Sequence, residues 1–417
     1  MPPALTSPAT TLTGSPAELA QLLACLPVTE ADTALAAWAF GATASDCERW
    51  YAELAELGLV EQVRTADAGS RYRRTHALEQ ATGSPQETGI WEDRVQAGVG
   101  WLAVAAFAAA EAADVHAPGR ASSLRPGYAE PDLAFTGATE ARRWLDANAA
   151  QLPAALEAAA AAGRHRDAWR IGAALCAHAD HHGDIPLWLE ASEQGLAAAQ
   201  AAAREIPVRL LLLHRTAVLR ADGRFNLSLD TAEKAIKRAS GALRGRGLYE
   251  VGATLLAAGR PSEALEELRS AWTLLQDAGD RGGAALTMLL RGAAAAQVGE
   301  GDLGEVSVVQ AREQLAALGH ARHAAWALAH QGRLLVLTGR QQAGDRCLAA
   351  AAAELAQLGA ARWHAQVSSW RGEAAHASSD RSAVTRHPHV TPALTSRRRA
   401  AGPGARPEPT GVPGAAA

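Results

Sequence analysis

Apolar residues recur with a helical period along most of this chain. In residues 262–276 they stand at positions i, i+3, i+4 and i+7 of one helical face, namely Ala264, Leu265, Leu268, Ala271, Trp272 and Leu275. The same kind of pattern continues from Glu140 to about residue 377. It predicts an all-α fold over this stretch.

The first 84 residues have a mixed pattern. Helical periods predict three helices, and two short strand-like runs around a polar turn predict a β-hairpin. The predicted helices span 15–26, 30–40 and 45–57, and the predicted strands span 59–64 and 71–75 on either side of the turn 66–70. Three helices followed by a hairpin is the plan of a winged helix. We therefore predict a winged-helix domain over residues 16–84, after a disordered N-terminus of residues 1–15.

A connector and a tail flank the helical array. Residues 85–140 contain a predicted helix, 91–113, and a stretch rich in proline and glycine, 118–137. Residues 378–417 are rich in proline, glycine, alanine and arginine, a composition typical of disordered segments. The predicted order is thus a helical connector over 85–140, a repeat solenoid over 141–377 and a disordered tail over 378–417.

Glycines repeat every 40 residues in the second half of the chain. Three series share this step: Gly252, Gly292, Gly332 and Gly372; Gly259, Gly299 and Gly339; and Gly279, Gly319 and Gly359. A regular period of this size is typical of a stacked array of helices. A glycine in mid-helix, such as Gly252, destabilises the helix by about 1 kcal/mol relative to alanine, so its recurrence predicts that a neighbouring helix approaches closely there. The other two series predict the ends of helices.

Composition narrows the chemistry. Of the 417 residues 102 are alanine, which favours helix and buries little area per residue, so the helices should pack closely. The two lysines, Lys234 and Lys237, precede Ala235 and Arg238. A phosphate-binding P-loop needs a lysine followed by serine or threonine, so this chain contains no such loop.

Charge and cysteine usage favour a soluble cytoplasmic protein. The net charge of −4 gives no electrostatic footprint for nucleic acid or an anionic membrane. The predicted recognition helix 45–57 is itself acidic, so no direct DNA binding is expected. The four cysteines form no CxxC pair and indicate a reduced compartment. The N-terminus has no signal-peptide pattern, and the longest apolar run, 97–110, is too short to cross a bilayer.

The repeating units resemble degenerate tetratricopeptide repeats. With the mid-helix glycine taken as position eight, one unit has small and apolar residues on the signature positions Leu248, Val251, Gly252, Leu255, Ala264, Leu268 and Ala271. The units that contain Gly292 and Gly332 keep this frame more loosely, and their length exceeds the standard repeat. The resemblance implies a right-handed α-solenoid that binds a protein partner in a groove lined by the first helix of each pair.

The segments ahead of the repeats resemble bacterial STAND (NB-ARC-like) regulators. The resemblance rests on residues 22–27 and 56–60 and on the stretch 71–78, which is similar to an Arg-Tyr…His-Asp-Leu motif. It implies that His76 is the relic of a nucleotide contact, although Ala77 stands where aspartate is usual. The NTPase module of that family should precede this region and is missing from the chain. We therefore expect no bound cofactor and a separately encoded NTPase as one possible partner.

Two further candidate sites follow from the sequence. The histidines His178 and His182 have the i, i+4 spacing that lets two imidazoles share one ion, but no third ligand is specified, so we predict helix-end structure and no metal. The repeat groove is the second candidate. Transfer of the tetratricopeptide groove positions assigns it to Arg220, Arg246, Tyr249, Leu256, Leu289, Trp326 and Arg333. The alternative for Tyr249 and Trp326 is core packing between repeats.

The functional hypothesis is a non-enzymatic regulatory or scaffold protein. No GxSxG, HExxH or Cys/His constellation supports catalysis. A mostly apolar groove with a few arginines suits an amphipathic or acidic segment of a partner protein. STAND-type signalling or transcriptional control is the context that the resemblance implies. The alternative is a small-molecule sensor that belongs to a split or truncated STAND ATPase.

Overall fold

The computed structural model describes residues 15–64, 70–82, 89–113 and 135–385. Within them the helices are α1 (Pro16–Cys25), α2 (Thr33–Phe40), α3 (Ala44–Glu56), α4 (His76–Thr82), α5 (Gly89–Ala113), α6 (Ala138–Asn148), α7 (Leu152–Ala161), α8 (His165–His182), α9 (Ile185–Ala201), α10 (Glu205–Ala221), α11 (Phe225–Ile236), α12 (Gly241–Ala257), α13 (Pro261–Asp277), α14 (Arg281–Gln297), α15 (Gly301–Ala317), α16 (Ala321–Leu337), α17 (Gln341–Gln357) and α18 (Ala361–Thr385). The strands are β1 (Glu30–Asp32), β2 (Val60–Arg64) and β3 (Ser70–Arg74). The helical fold class is confirmed.

The N-terminal region combines helices with a small antiparallel sheet of order β1-β3-β2. Strands β2 and β3 are the predicted hairpin, with Val60 opposite Arg74, whereas most of the predicted turn lies outside the described residues. The helix predicted over 30–40 is shorter than expected. Its first three residues form β1, because the Asp32 carboxylate accepts a hydrogen bond from the Leu35 amide at 2.7 Å and so starts α2 at Thr33. The winged-helix interpretation of this region stays a prediction.

Helix α5 joins the N-terminal region to the repeats. It packs against α2, α6, α7 and α8, and its residues Trp101, Leu102 and Phe107 belong to one core that runs from Leu19 to Val218. In the described part of the chain, Trp91–Ala113 is the one segment that is long and apolar enough to cross a membrane, but most of it is buried inside the protein. It is therefore the core helix of this region. Most of the predicted Pro/Gly-rich stretch 118–137 lies outside the described residues.

The second half of the chain is a regular array of helix pairs. Helices α12 to α17 each have 17 residues. The first helices of the pairs start at Gly241, Arg281 and Ala321, and the second helices start at Pro261, Gly301 and Gln341. The predicted 40-residue period is thus confirmed to the residue. Each helix packs against the next, and the same succession of packed helices extends back through α8, α9, α10 and α11.

The glycine series have the physical roles that the period predicts. A Cβ atom added at Gly292 would lie 2.7 Å from the carbonyl oxygen of Gly304, so the two helices of this pair touch backbone to backbone. Gly259, Gly299 and Gly339 end their helices with φ angles of 75°, 98° and 84°, a region that side chains disfavour. The mid-helix series ends at Gly372, where an added Cβ would meet nothing within 4 Å.

The repeat array turns back on itself. Asp180, near the end of α8, forms ion pairs with Arg322 on α16, at 3.4 Å, and with Arg362 on α18. The Arg362 Nε–H also donates to the Asp180 carbonyl oxygen at 3.2 Å. Helix α8, near the start of the array, therefore contacts α16 and α18 near its end. The described residues up to Ala374 form one compact unit, and a second unit begins at Ala375.

Two predicted termini remain largely outside the described residues. The predicted disordered N-terminus, 1–15, has only its last residue described, and that residue, Ser15, caps α1. Helix α18 extends to Thr385, so residues 378–385 of the predicted tail are helical, and the rest of 378–417 lies outside the described residues.

Candidate functional site

The helices of the array line a partly open cavity of about 240 Å³. Its walls come from α5, α6 and α9 and from the first helix of every later pair. The lining side chains include Phe107, Glu111, Arg142, Asp146, His178, Asp180, His181, Trp188, Leu213, His214, Arg220, Arg246, Tyr249, Glu250, Leu286, Arg322, His323, Trp326, Arg362 and Trp363. The cavity thus combines arginines, carboxylates and large aromatic rings from distant parts of the chain.

Carboxylates hold most of these arginines in place. Arg220 pairs with Glu250, and Arg362 pairs with Asp180. The Arg246 Nε–H donates at 3.3 Å to Asp280, which is fully buried and also caps the start of α14 by accepting from the Gly283 amide. Ion pairs of this kind fix the guanidinium groups in defined positions on the cavity wall.

Three nitrogen donors on the cavity-lining residues lack an acceptor. The Arg246 Nη2, Arg322 Nε and Trp188 Nε1 atoms are buried and make no hydrogen bond within the described residues. A buried donor without an acceptor costs about 1–3 kcal/mol, so such atoms are rare in folded proteins.

An aromatic cluster forms the wall at α16 and α18. The indole rings of Trp326 and Trp363 stack with centroids 5.0 Å apart, and Trp370 lies 5.1 Å from Trp326. The Arg322 guanidinium lies over the Trp363 ring, 4.4 Å from its centroid, and Arg333 lies over Trp370 at 4.7 Å. This wall is apolar, with cationic groups on its faces.

Burial and the neighbouring arginines set the ionisation of the acids and histidines in this wall. Burial alone would raise the pKa of Asp180, but the guanidinium groups of Arg362 and Arg322 outweigh it and hold that pKa below its ordinary value. Burial, assisted by Arg322, lowers the pKa of His181 to about 3. Asp180 is therefore a carboxylate and His181 a neutral imidazole at neutral pH.

Four of the seven predicted groove residues meet in the cavity. Arg220, Arg246, Tyr249 and Trp326 line it together. Leu289 is instead buried in one core cluster between repeats, and Leu256 packs against a separate cluster. Arg333 lies over Trp370, outside the cavity. Trp326 lines the cavity and also belongs to the aromatic cluster between helices. The two predicted alternatives for this residue, groove contact and core packing, therefore both apply.

The part of each first helix that lines the cavity moves from the C-terminal half towards the N-terminal end along the array. The cavity contacts α10 as far as Arg220, close to the C-terminal end, but α12 only from Arg246 to Glu250 and α18 only at Arg362 and Trp363, in the first turn. The groove positions in the C-terminal halves of the later helices therefore fall outside it. The consensus positions assume that the same part of every first helix faces the groove, and this array does not fulfil that assumption.

Sequence reasoning missed Asp180, Arg362 and Trp363. The 40-residue period contained a signal for two of them, since Arg362 and Trp363 stand one period after Arg322 and His323. Asp180 lies within the histidine-rich stretch at the end of α8, in which the spacing pattern indicates only His178 and His182 as potential ligands. Its partners are 142 and 182 residues away in the chain, and no local pattern indicates such contacts.

The remaining predicted residues lie away from the cavity or at its rim. His76 is the first residue of α4; its side chain is 79% exposed and contacts Glu79 and Gln80, and it does not line the cavity. His178 and His182 lie in the last turns of α8 and meet Asp146 of α6. That carboxylate is the third potential ligand that the sequence does not specify.

Comparisons with known proteins return distant structural likenesses. No protein-family profile matches the chain, and no curated protein sequence matches it. One similar solved structure is a Rap protein complexed with Competence and Sporulation Factor, with 10% identity and a TM-score of 0.39 over 58% of this chain and 71% of that one. Another is a STAND (Signal Transduction ATPase with Numerous Domains) protein with a tetratricopeptide repeat sensor from Pyrococcus horikoshii. It has 12% identity and a TM-score of 0.40 over 90% of this chain, which spans 64% of that protein's length.

Proposed function

We propose that this protein is a non-enzymatic regulatory protein that binds an acidic segment of a partner protein in the cavity of its repeat array. The observation that carries the proposal is that four arginines line one cavity, namely Arg220, Arg246, Arg322 and Arg362, and that two of them, Arg246 and Arg322, keep a buried donor without an acceptor among the described residues. Carboxylate oxygens accept hydrogen bonds from guanidinium groups with favourable geometry and charge. An acidic side chain or chain terminus therefore suits the arginine-lined wall.

The aromatic wall supports an amphipathic occupant. Tyr249, Trp326 and Trp363 line the same cavity as the arginines, and aromatic residues beside arginine are typical of the energetic centre of a protein interface. A volume of about 240 Å³ accommodates a few side chains and excludes a whole helix or domain. The proposed ligand is thus a short acidic and apolar segment.

Recovery of partners from the native host tests this proposal. The full chain is compared with the double variant Arg246→Ala/Trp326→Ala, and bound proteins are identified by mass spectrometry. Arg260→Ala is the matched control, because Arg260 is an exposed repeat arginine outside the cavity. We expect the wild type and the control to retain the same partner and the double variant to lose it. Equal recovery by all three proteins would show that the partner does not use the cavity.

A small-molecule sensor is the second candidate function. Asp180, Arg322 and Arg362 all line the cavity, and a concave site of about 240 Å³ with several arginines also suits a small polyanionic metabolite. A thermal-shift screen with di- and tricarboxylates distinguishes the two candidates. A ligand that binds the folded state raises the apparent stability by RT ln(1 + [L]/Kd). A saturable shift that Arg246→Ala abolishes would favour the sensor over the protein-binding function.

The signalling context forms part of the proposal. The resemblance of residues 22–27, 56–60 and 71–78 to STAND regulators supports a cytoplasmic role in signalling or transcriptional control, with a separately encoded NTPase as one candidate partner. Direct DNA binding is not expected, because Arg71 and Arg73 of strand β3 both pair with Glu30. The partner recovery described above also tests this context. A partner without a P-loop would remove the STAND assignment and leave the cavity proposal intact.

A further inference from the structure

Three potential metal ligands from two helices converge at the rim of the cavity. The Asp146 Oδ1 atom of α6 lies 2.8 Å from His182 Nε2 and 3.2 Å from His178 Nδ1, both on α8. One ligand atom from each of the three side chains lies within 4.8 Å of the other two. The histidines are four residues apart on one helix, so both rings project from the same face.

The helical framework fixes this arrangement. Leu145, next to Asp146, is buried in the core, and Arg142, one turn earlier on α6, donates to the Ala113 carbonyl oxygen at 3.0 Å. On α8 the neighbouring Ala179 is fully buried, and Gly183 ends the helix. Two packed backbones therefore hold the three ligands in place, so little conformational entropy would be lost when an ion binds.

The Nδ1 atom of His178 is buried and faces the Asp146 carboxylate. The His178 side chain is 14% exposed, and this nitrogen lies 3.2 Å from Asp146 Oδ1. A metal ion between the two atoms would bind both, because neutral imidazole coordinates through its lone pair. The negative end of the α8 dipole also favours a cation at the helix C-terminus.

We propose that Asp146, His178 and His182 form a binding site for a divalent transition-metal ion, with zinc as the ion that the donor set fits best. Zinc with bonds of 2.0–2.1 Å in tetrahedral geometry places its ligand atoms about 3.4 Å apart. The two distances to Asp146, 2.8 and 3.2 Å, need only a small expansion to reach this value. Two nitrogens and one carboxylate oxygen are ordinary ligands of zinc, whereas calcium and magnesium prefer oxygen ligands alone.

The site would leave one coordination position open. Three protein ligands with a fourth position for water or another ligand is an arrangement that many zinc sites have. Asp146 and His178 both line the cavity, so an ion held by them would be accessible to an anionic group inside it. The cluster without an ion is a carboxylate between two histidines, and this ordinary ion-pair arrangement is the alternative that the experiment must exclude.

A calorimetric titration of the chelator-treated full chain with Zn²⁺ alone tests the site. We expect one equivalent to bind to the wild type, and His182→Ala and Asp146→Asn each to lower the affinity by more than about tenfold, since even the loss of residues behind the ligands has effects of that size. His165→Ala is the matched control, a histidine at the other end of the same helix, and should bind as the wild type does. His182 and Asp146 are exposed enough for these substitutions to leave the circular dichroism spectrum unchanged.

Two results would overturn the proposal. If the wild type binds no Zn²⁺, the cluster is an ion pair only. If His182→Ala and Asp146→Asn bind Zn²⁺ as tightly as the wild type, the ion lies elsewhere. Substitution of Co²⁺ for Zn²⁺ adds a spectroscopic criterion, because a site with three protein ligands should give visible absorption bands that both variants lose. The measurement uses no ligand of the cavity, so its outcome is independent of the proposed function.

Discussion

The carboxylate of Asp180 and the guanidinium group of Arg362 form an ion pair between residues that are 182 positions apart. Asp180 lies in the last turn of α8, and Arg362 lies in the first turn of α18. Their contact joins α8 to α18 and closes the wall around the cavity. The same two residues line the cavity, so the stability of this contact and the shape of the site depend on them together.

Loss of Asp180 should therefore destabilise the protein strongly. The Asp180→Ala variant leaves Arg322 and Arg362 without their carboxylate in a largely buried place, and breaking a buried pair in this way costs about 3 kcal/mol or more. Urea unfolding followed by circular dichroism measures the effect. Glu263→Ala is the control, since it breaks an exposed pair with Arg260 and should change the midpoint little. Equal shifts for both variants would contradict a role of Asp180 in closing the array.

Two glycines of the same 40-residue series should respond to alanine with opposite signs. Gly292→Ala would place a Cβ atom 2.7 Å from the Gly304 carbonyl oxygen, a backbone atom that cannot rotate away, so we expect destabilisation by about 1–3 kcal/mol. Gly372→Ala meets no neighbour and should stabilise α18 by up to about 1 kcal/mol through helix propensity. Thermal unfolding of both variants tests this pair of predictions. An increase in Tm for Gly292→Ala would contradict the close approach of α14 and α15.

His330 should make the stability depend on pH. Burial, with a smaller effect of Arg333, lowers the pKa of His330 to about 3 from its ordinary 6.5, and its ring lies edge-on to Trp326 and Trp370. The unfolded chain therefore binds a proton below pH 6.5 that the folded chain does not bind until about pH 3. His330 therefore leaves the free energy of unfolding unchanged above pH 6.5 and lowers it as the pH falls from 6.5 towards 3.

The variant His330→Phe should lack this pH dependence. Between pH 7 and pH 5 the free energy of unfolding of the wild type should fall by about 2 kcal/mol more than that of the variant, at about 1.4 kcal/mol per pH unit below pH 6.5. Urea unfolding at the two pH values measures the difference. His181, whose pKa is also lowered to about 3, remains in both proteins and cancels in the comparison. The same pH dependence in both proteins would mean that His330 is protonated in the folded state.

The repeat helices could be predicted from the sequence almost to the residue, because their determinants are local. Gly259 ends a helix through its positive φ, Pro261 starts the next helix, and the apolar stripe of α13 faces its neighbours. Strand β1 could not be predicted in this way. Its three residues pair with β3, more than 35 positions away, and this tertiary contact overrides a helical pattern.

The site could be predicted only in part. Arg246, Tyr249 and Trp326 follow from the consensus groove positions, whereas the closure by Asp180 and Arg362 depends on how far each repeat rotates against the one before it. That rotation is the sum of many side-chain contacts and leaves no short motif. Leu289 shows the consequence, since its groove position lies in the core of this array. The same long-range geometry brings Asp146 to His178 and His182, so the third potential ligand becomes visible only in the folded chain.

Site-specific photo-crosslinking tests the central claim most directly, namely that a partner segment occupies the cavity. A benzophenone amino acid is introduced in place of Trp326, inside the cavity, or in place of Leu303, an exposed residue outside it. After irradiation in the native host, position 326 should give one discrete crosslinked partner whose attached peptide is acidic, and position 303 should not. The same crosslinked partner from both positions, or none from position 326, would contradict the proposal that the cavity is the binding site.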